Sequence, residues 1–337
     1  MIIGNHNTLD KVFIVAELSA NHNQDYELAR KAVRIAAETG CDAIKLQTYT
    51  PDSLTLNIRT DEFKASGPWK DEYLYDLYAK ACMPYEWHKP LKEYADELGI
   101  LLFSSPFDKE AVDVCESIDV PAYKIASFEI TDIPLIRYVA SKKKPVIIST
   151  GVGNAEDIQL AVDTCLEMGN PNITLLQCTS AYPAPPENMN LLTIPAMKDR
   201  FSVEVGLSDH SLGNEAVITA VALGARIVEK HFTPDESIET PDHAFSLNPK
   251  QLREMVFSIR KTEKVLGEVS FEGKSKQFSR SIYTSKDINK GEKISSGSVR
   301  TIRPGNGLHP KYLTDIIGKT AKESVRAGMP FSWEFVV

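Results

Sequence analysis

Val203-Glu204-Val205-Gly206-Leu207-Ser208-Asp209-His210 and, one helix later, Ala225-Arg226-Ile227-Val228-Glu229-Lys230-His231-Phe232 follow a single pattern. Each is a short β-branched run that ends at a histidine. Between them, Ala216 to Leu223 reads as a helix of small and aliphatic residues, closed by Gly224, a residue type favoured just past a helix end. Two parallel strands joined by such a crossover bring His210 and His231 side by side at the carboxyl edge of a sheet, where α/β barrels keep their active sites. A pair of imidazoles in that position is metal-ligand geometry, with Glu229 and Asp209 at hand as supporting or acid/base groups.

The same alternation runs back through the chain. Val12 to Ala16 is a buried-strand pattern ending in Glu17, and a helix from Tyr26 to Thr39 is stopped by Gly40. Asp42 to Gln47 is the next strand, with Lys45 and Gln47 alternating into what should be a packed interior. A buried lysine costs several kcal/mol (roughly) unless an anion meets it, so Lys45 reads as a cation facing a ligand. Strands are further predicted at Ile100 to Phe103, Ala122 to Ile125, Pro145 to Ile148 and Ile173 to Gln177, with helices at Pro84 to Leu98, Glu110 to Ser117, Asn154 to Met168 and Pro249 to Leu266. Eight strands alternating with helices over about 262 residues is the signature of a (β/α)8 TIM barrel. A doubly wound open sheet competes, but no glycine-rich phosphate loop follows the first strand. Polar residues collect at the strand ends: Glu17, Lys45, Gln47, Ser105, Lys124, Ser127, Glu129, Ser149, Tyr182, His210, Glu229 and His231. From Thr48 to Pro84 the pattern loosens into a polar stretch and then an amphipathic piece, Glu72 to Ala81, a length that suits a lid or a specificity element.

The domain plan is therefore a catalytic barrel over 1–266, a linker at 267–280 rich in charge and small residues, and a small β-rich domain at 281–337. With 42% hydrophobic and 25% charged residues among 337, the chain has an ordinary globular composition, and 38 basic against 46 acidic residues give a net charge of −8. That balance argues against a general nucleic-acid or membrane surface, while leaving room for a local cationic pocket. The five cysteines form no Cys-x-x-Cys pair and are odd in number, which fits a reducing, cytoplasmic setting. No signal peptide or membrane-spanning run is read from the sequence.

Lys45 and Lys124, with hydroxyls from Ser105, Ser127 and Ser149, suit a phosphate plus a carboxylate: point charges from the ammoniums, short directional donors from the serines. Beside them the two histidines could hold a divalent ion acting as a Lewis acid on an aldehyde, with Mn²⁺, Mg²⁺ and Zn²⁺ all left open. Glu17, Glu129, Glu229 and Asp242 are the proton-transfer candidates. A metal-dependent aldolase or hydrolase on the same barrel is one rival reading, and a carbohydrate-binding protein without catalysis is another.

These motifs resemble the sialic acid synthases, which condense phosphoenolpyruvate with an amino-sugar aldehyde. The resemblance covers the whole chain and rests on Ala16-Glu17 with Asn21-His22, Lys45-x-Gln47, Ser105-Pro106-Phe107, Tyr123-Lys124-Ile125-Ala126-Ser127, Ser149-Thr150-Gly151, Gly206-Leu207-Ser208-Asp209-His210, Glu229-Lys230-His231-Phe232 and Arg303-Pro304-Gly305-Asn306-Gly307. It implies a small carboxyl-terminal domain of the antifreeze-like (SAF, β-clip) type and a domain-swapped homodimer. It further implies that Lys45, Gln47, Ser105, Lys124, Ser127 and Ser149 hold phosphoenolpyruvate and that His210 and His231 bind Mn²⁺, with Mg²⁺ or Co²⁺ as substitutes. Glu17, Glu229 and Asp242 would be catalytic. Asn21, Glu129, Ser180, Tyr182 and, from a partner subunit, Arg303 would contact the sugar.

Within that family the chain departs from the members that make N-acetylneuraminate. It has Glu17-Leu18-Ser19-Ala20-Asn21-His22 where they carry Glu-Ile-Gly-Ile-Asn-His, and Ser180 where they carry an asparagine. Together with Gln47 to Thr55, these positions look most like the members whose substrate is 2,4-diacetamido-2,4,6-trideoxy-altrose, a 6-deoxy sugar that yields pseudaminic acid. The neuraminate and legionaminic acid branches are the alternatives, separated only by the choice of sugar.

Overall fold

The computed structural model describes residues 1–337 apart from Lys274, and Pro68 only as backbone; Lys274 falls inside the expected linker at 267–280, so that part of the linker lies outside the described residues. Two compact units emerge, Met1–Gly267 and Glu268–Val337.

In the first unit a two-stranded hairpin, β1 (Ile2–Ile3) and β2 (His6–Asn7), precedes eight parallel strands: β3 (Phe13–Glu17), β4 (Ala43–Thr48), β5 (Leu101–Pro106), β6 (Tyr123–Ile125), β7 (Val146–Ser149), β8 (Ile173–Cys178), β9 (Glu204–Asp209) and β10 (Ile227–His231). They pair in chain order and β10 closes on β3, giving the expected barrel. Local chemistry sets the intervening helices. Helix α1 (Tyr26–Thr39) starts at Asp25, whose carboxylate accepts from the Glu27 and Leu28 amides, and it stops at Gly40 with φ +85°. After α2 (Pro51–Leu54) and α3 (Leu74–Ala81) come α4 (His88–Leu98), α5 (Lys109–Ser117), α6 (Ile133–Ser141), α7 (Ala155–Glu167), α8 (Thr193–Phe201), α9 (Glu215–Ala222) and α10 (Pro249–Leu266).

Three features were not expected from the sequence. Helices α6 and α8 carry prolines in their first turns, Pro134 and Pro195, which masks their periodicity although proline is tolerated there. The helix expected from Pro84 begins instead as a 3₁₀ turn, Tyr85–Trp87, before α4. The amino-terminal hairpin carries fully buried Ile3 into the apolar core, while the Met1 ammonium pairs with Glu204. Two-residue strands leave no readable period.

Register explains the layering inside the barrel. Phe13, Val15 and Glu17 share one parity on β3, and their ladder partners carry it around the barrel: Ile227, Glu229 and His231 on β10, and Lys45 opposite Glu17 on β4. The lower layers are apolar, with the Phe13 and Phe103 rings 6.3 Å apart. Gly206 belongs to this packing, since a Cβ there would lie 2.3 Å from the Ile227 carbonyl oxygen. Only toward the carboxyl ends do charges replace apolar groups.

The second unit pairs β11 (Ser281–Thr284) with β12 (Val299–Ile302) in antiparallel fashion, and isolated bridges such as Ile288 with Val325 and Lys293 with Thr320 extend it. Its core is small: Ile282, Ile288, Ile294, Val299, Ile316, Ala321 and Phe331.

Candidate active site

A cavity of about 450 Å³ opens at the carboxyl ends of the barrel strands. Its floor is a compact charge cluster. Lys45 Nζ lies 2.7 Å from Glu17 Oε2 and 3.8 Å from Glu229 Oε2, and Lys124 Nζ lies 3.1 Å from Glu229 Oε1. All four side chains are at most 4% exposed. Hydrogen bonds complete the cluster: Lys45 donates to Ser105 Oγ at 3.0 Å, Ser208 Oγ donates to Glu229 Oε1 at 3.0 Å, and Gln47 Nε2 donates to Glu17 Oε1 at 2.9 Å and to Ser19 Oγ at 2.8 Å. Burying two ammoniums is tolerable only because two carboxylates meet them.

The two carboxylates are not equivalent. Burial lifts the Glu17 carboxyl above its ordinary value, more than Lys45 lowers it. Burial acts on Glu229 in the same sense, but Lys124 and Lys45 outweigh it and hold that carboxyl at about 2. Environments that push two acids apart in this way separate a proton carrier from a permanent anion. Desolvation works against the charge on Lys45, yet Glu17 and Glu229 raise its ammonium above the ordinary lysine value. Higher in the cavity, burial pushes Glu129 up to about 7. Glu129 Oε2 and Ser149 Oγ are buried and have no hydrogen-bond partner. Both line the cavity, and buried polar atoms left unsatisfied in a cleft are what a polar ligand would complete.

His210 and His231 lie side by side at the ends of the neighbouring strands β9 and β10, with ring centroids 5.2 Å apart. His210 Nδ1 lies 3.2 Å from the Thr179 carbonyl oxygen, which makes it the donor and leaves Nε2 as the free nitrogen. Burial depresses this imidazole to about 3, so it stays neutral and able to ligate. His231 Nδ1 lies 3.5 Å from Asp242 Oδ2. Asp242 is held below its ordinary value because His231 and other partners outweigh the effect of burial. Two adjacent imidazoles, one of them fixed by Thr179 and held neutral by burial, fit a divalent ion that keeps open positions for substrate and water. No group of three protein ligands occurs among the described residues, so a closed structural site does not fit.

The cavity's upper wall is of another kind. Tyr49, Leu54, Ala65, Ser66, Trp69, Leu74, Leu77, Tyr78 and Ala81 all come from the β4–α4 connection, and none of them is charged. Trp69 packs at 5.7 Å from Tyr182 and 6.5 Å from Phe245, and the Tyr182 ring lies 4.5 Å from His210. Burial raises the Tyr182 phenol above its ordinary value, so it remains a donor.

Of the residues singled out in the sequence, Glu17, Lys45, Gln47, Lys124, Ser127, Glu129, Ser149, Tyr182, His210, Glu229, His231 and Asp242 converge on this cavity. Ser105 does not line it and reaches it through Lys45. Three expectations change. Asn21 is fully buried and spends its amide on the Phe232 carbonyl, Ser246 Oγ and Thr240 Oγ1, so it fastens the connection after β10 rather than lining the cavity. Asp209 has the opposite parity from His210 and is consumed by Lys230 on the outer face of β9 and β10. Ser180 stands behind Ser127, with Oγ atoms 3.0 Å apart, in space that a Cβ on Gly151 would fill. Arg303 is an exposed residue of the second unit, just past β12. Ser208 could have been found by parity with His210; Trp69, Tyr49 and Phe245 left no periodic signal.

A TIM barrel whose mouth joins a two-lysine floor to a pair of imidazoles defines an enzyme for a small anionic substrate and a second, less polar one. Residues 32–271 match the NeuB family and residues 279–337 the SAF domain. The chain belongs to the NeuB family. It is 48% identical to a pseudaminic acid synthase of Campylobacter jejuni over 97% of each chain, and 44% identical to one from Helicobacter pylori over 95% of this chain and 96% of the other. Among solved structures, the spore coat polysaccharide biosynthesis protein of Bacillus subtilis covers 97% of this chain and 95% of its own at 35% identity, with a TM-score of 0.66.

Proposed function

We propose that the enzyme condenses phosphoenolpyruvate with 2,4-diacetamido-2,4,6-trideoxy-altrose and water to give pseudaminic acid and inorganic phosphate. The observation that carries this reading is the 48% identity, over nearly the full length, to a pseudaminic acid synthase, joined to a floor with two buried lysines. In the reaction, C3 of phosphoenolpyruvate bonds to the aldehyde carbon and water adds at C2. Phosphate then leaves that tetrahedral carbon with cleavage of its C–O bond.

Lys45 and Lys124 meet the phosphate and carboxylate, with Ser127, Ser149 and Gln47 as directional donors. Glu17, the carboxyl that burial favours in its neutral form, carries the proton to the forming alkoxide. Glu229 stays ionised and holds both ammoniums in place. Asp242, whose Oδ2 lies 3.5 Å from His231 Nδ1, acts beside that imidazole. His210 and His231 would hold the divalent ion, Mn²⁺ in our reading, which when bound supplies Lewis-acid polarisation of the aldehyde. A homodimer in which Arg303 of one chain reaches the sugar of the other is part of the same proposal, supported by the Arg303-Pro304-Gly305-Asn306-Gly307 motif. No helix among the described residues is long and apolar enough to cross a membrane, and we place the reaction in the cytoplasm, where phosphoenolpyruvate is made.

The test is phosphate release from phosphoenolpyruvate with Mn²⁺, comparing the altrose sugar, its legionaminic-series counterpart and N-acetylmannosamine, with product masses recorded. Fastest release with the altrose sugar is expected. Release confined to another sugar would move the substrate, and no release with any would return the barrel to the aldolase reading.

A further inference from the structure

We infer that the β4–α4 connection, through Trp69 and Leu77, is the element that selects a 6-deoxy sugar by giving its C6 methyl a dry apolar seat. The inference rests on the functional reading above. Every charged side chain around the cavity comes from a strand end, from the turn after β6 or from the connection after β10, whereas the lining residues supplied by the β4–α4 connection carry no charge, and Trp69, Leu74 and Leu77 among them are apolar. Leu77 is 7% exposed and faces the cavity together with Trp69 and Leu74.

Trp69 cannot serve there as a hydrogen-bond donor. Its Nε1 is already committed to the Pro241 carbonyl oxygen at 2.9 Å, so the ring offers only apolar surface. That bond also ties the wall to the connection after β10, which carries Asp242 and Phe245. The rings of Trp69, Tyr182 and Phe245 then form one shelf that continues to the imidazoles, with Phe245 5.0 Å from His231. A sugar whose aldehyde is directed to the histidines meets this shelf with the rest of its ring. A methyl group is welcome against Trp69, Leu74 and Leu77, where a hydroxyl would lose its water without gaining a partner, in contrast to the stretch of wall that carries Tyr49, Ser66 and Tyr78.

An apolar pocket discriminates against an added hydroxyl by about 10²-fold at most. The experiment compares kcat/KM for 2,4-diacetamido-2,4,6-trideoxy-altrose and for its 6-hydroxy analogue in the wild type, Leu77→Asn and Trp69→Phe. The wild type should favour the deoxy sugar by about 10²-fold, and Leu77→Asn should narrow the ratio to about tenfold or less. Tryptophan emission on addition of the sugar gives a readout independent of turnover: the change should be present in the wild type and largely lost in Trp69→Phe. An unchanged ratio in both variants, or an undiminished emission change in Trp69→Phe, would overturn the assignment of the wall while leaving the reaction intact. Absence of phosphate release with either sugar in the wild type would instead remove the functional reading, and this inference with it.

Discussion

The floor and the wall of one cavity are built by opposite means. The floor is made of side chains whose positions the strands dictate: Glu17, Lys45, Lys124 and Glu229 point inward because barrel strands alternate, and opposite charges close the cluster. The wall is made of a connection with only short helices, α2 and α3, and aromatic contacts and an indole hydrogen bond tie it to Tyr182 and to the connection after β10. Chemistry is therefore fixed by rigid elements and selectivity by a replaceable loop, the division that lets one barrel serve several sugars.

The sharpest way to break this contrast is to remove a floor cation. Lys124→Ala strips Glu229 of its nearer partner, and breaking a buried charge pair costs about 3 to 5 kcal/mol. We expect kcat/KM to fall by about three orders of magnitude and the heat of phosphoenolpyruvate binding to vanish in calorimetry, with a thermal melt confirming that the barrel is folded. Turnover close to wild type would show that no anion cradle is in use and would favour a metal-dependent aldolase. A smaller effect separates the two carboxylates. Glu17→Gln should lower kcat by about 10²-fold to 10³-fold while phosphoenolpyruvate still binds, because the lost group moves a proton and Lys124 with Glu229 remains. If Glu17→Gln abolished binding as fully as Lys124→Ala, the division of labour between the carboxylates would be wrong.

The floor was also the part that could be read from the chain. Lys45 betrayed itself as a lysine in a strand otherwise fit for burial, and His210 and His231 did so by ending two strands of the same phase. Asn21 and Ser180 misled because sequence shows that a polar residue lies near a strand end but not whether its hydrogen bonds are already spent; Asn21 has three such partners. Asp209 misled by parity, one residue out of phase with His210 and paired behind the barrel with Lys230. For the wall there was no period to read. Trp69 and Phe245 are 176 positions apart (245 − 69), and only the closed barrel brings their rings within 6.5 Å.

A wall variant should behave differently from a floor variant in kind as well as size. Leu77→Ala removes apolar surface facing the sugar and leaves every floor contact in place, so we expect KM for the sugar to rise by about tenfold, the equivalent of about 1.4 kcal/mol. KM for phosphoenolpyruvate should stay within about twofold of wild type. Steady-state titration of each substrate at saturating levels of the other checks this, and a parallel rise in both constants would mean that wall and floor are one unit.

The smallest expected effect concerns polar groups on the outer face of the same strands. Thr48 is one residue past Gln47 and therefore points away from the cavity, to Ser104 Oγ at 2.6 Å and His88 Nε2 at 2.8 Å. Burial holds His88 down at about 4, against an ordinary value near 6.5. An imidazole kept neutral in the folded protein contributes stability that is fully present above pH 6.5. That contribution is lost as pH falls toward 4, because the unfolded chain takes up the proton first. At pH 6 the loss from this one group is about 0.8 kcal/mol, read as a lower urea midpoint than at pH 8. In His88→Gln that decrement should shrink, while the pH dependence of turnover, set by the inward-facing groups, should keep its wild-type form. A shift in the turnover profile would show that the outer network reaches the floor through Thr48 and Gln47, and the separation of the two faces of β4 would then have to be given up.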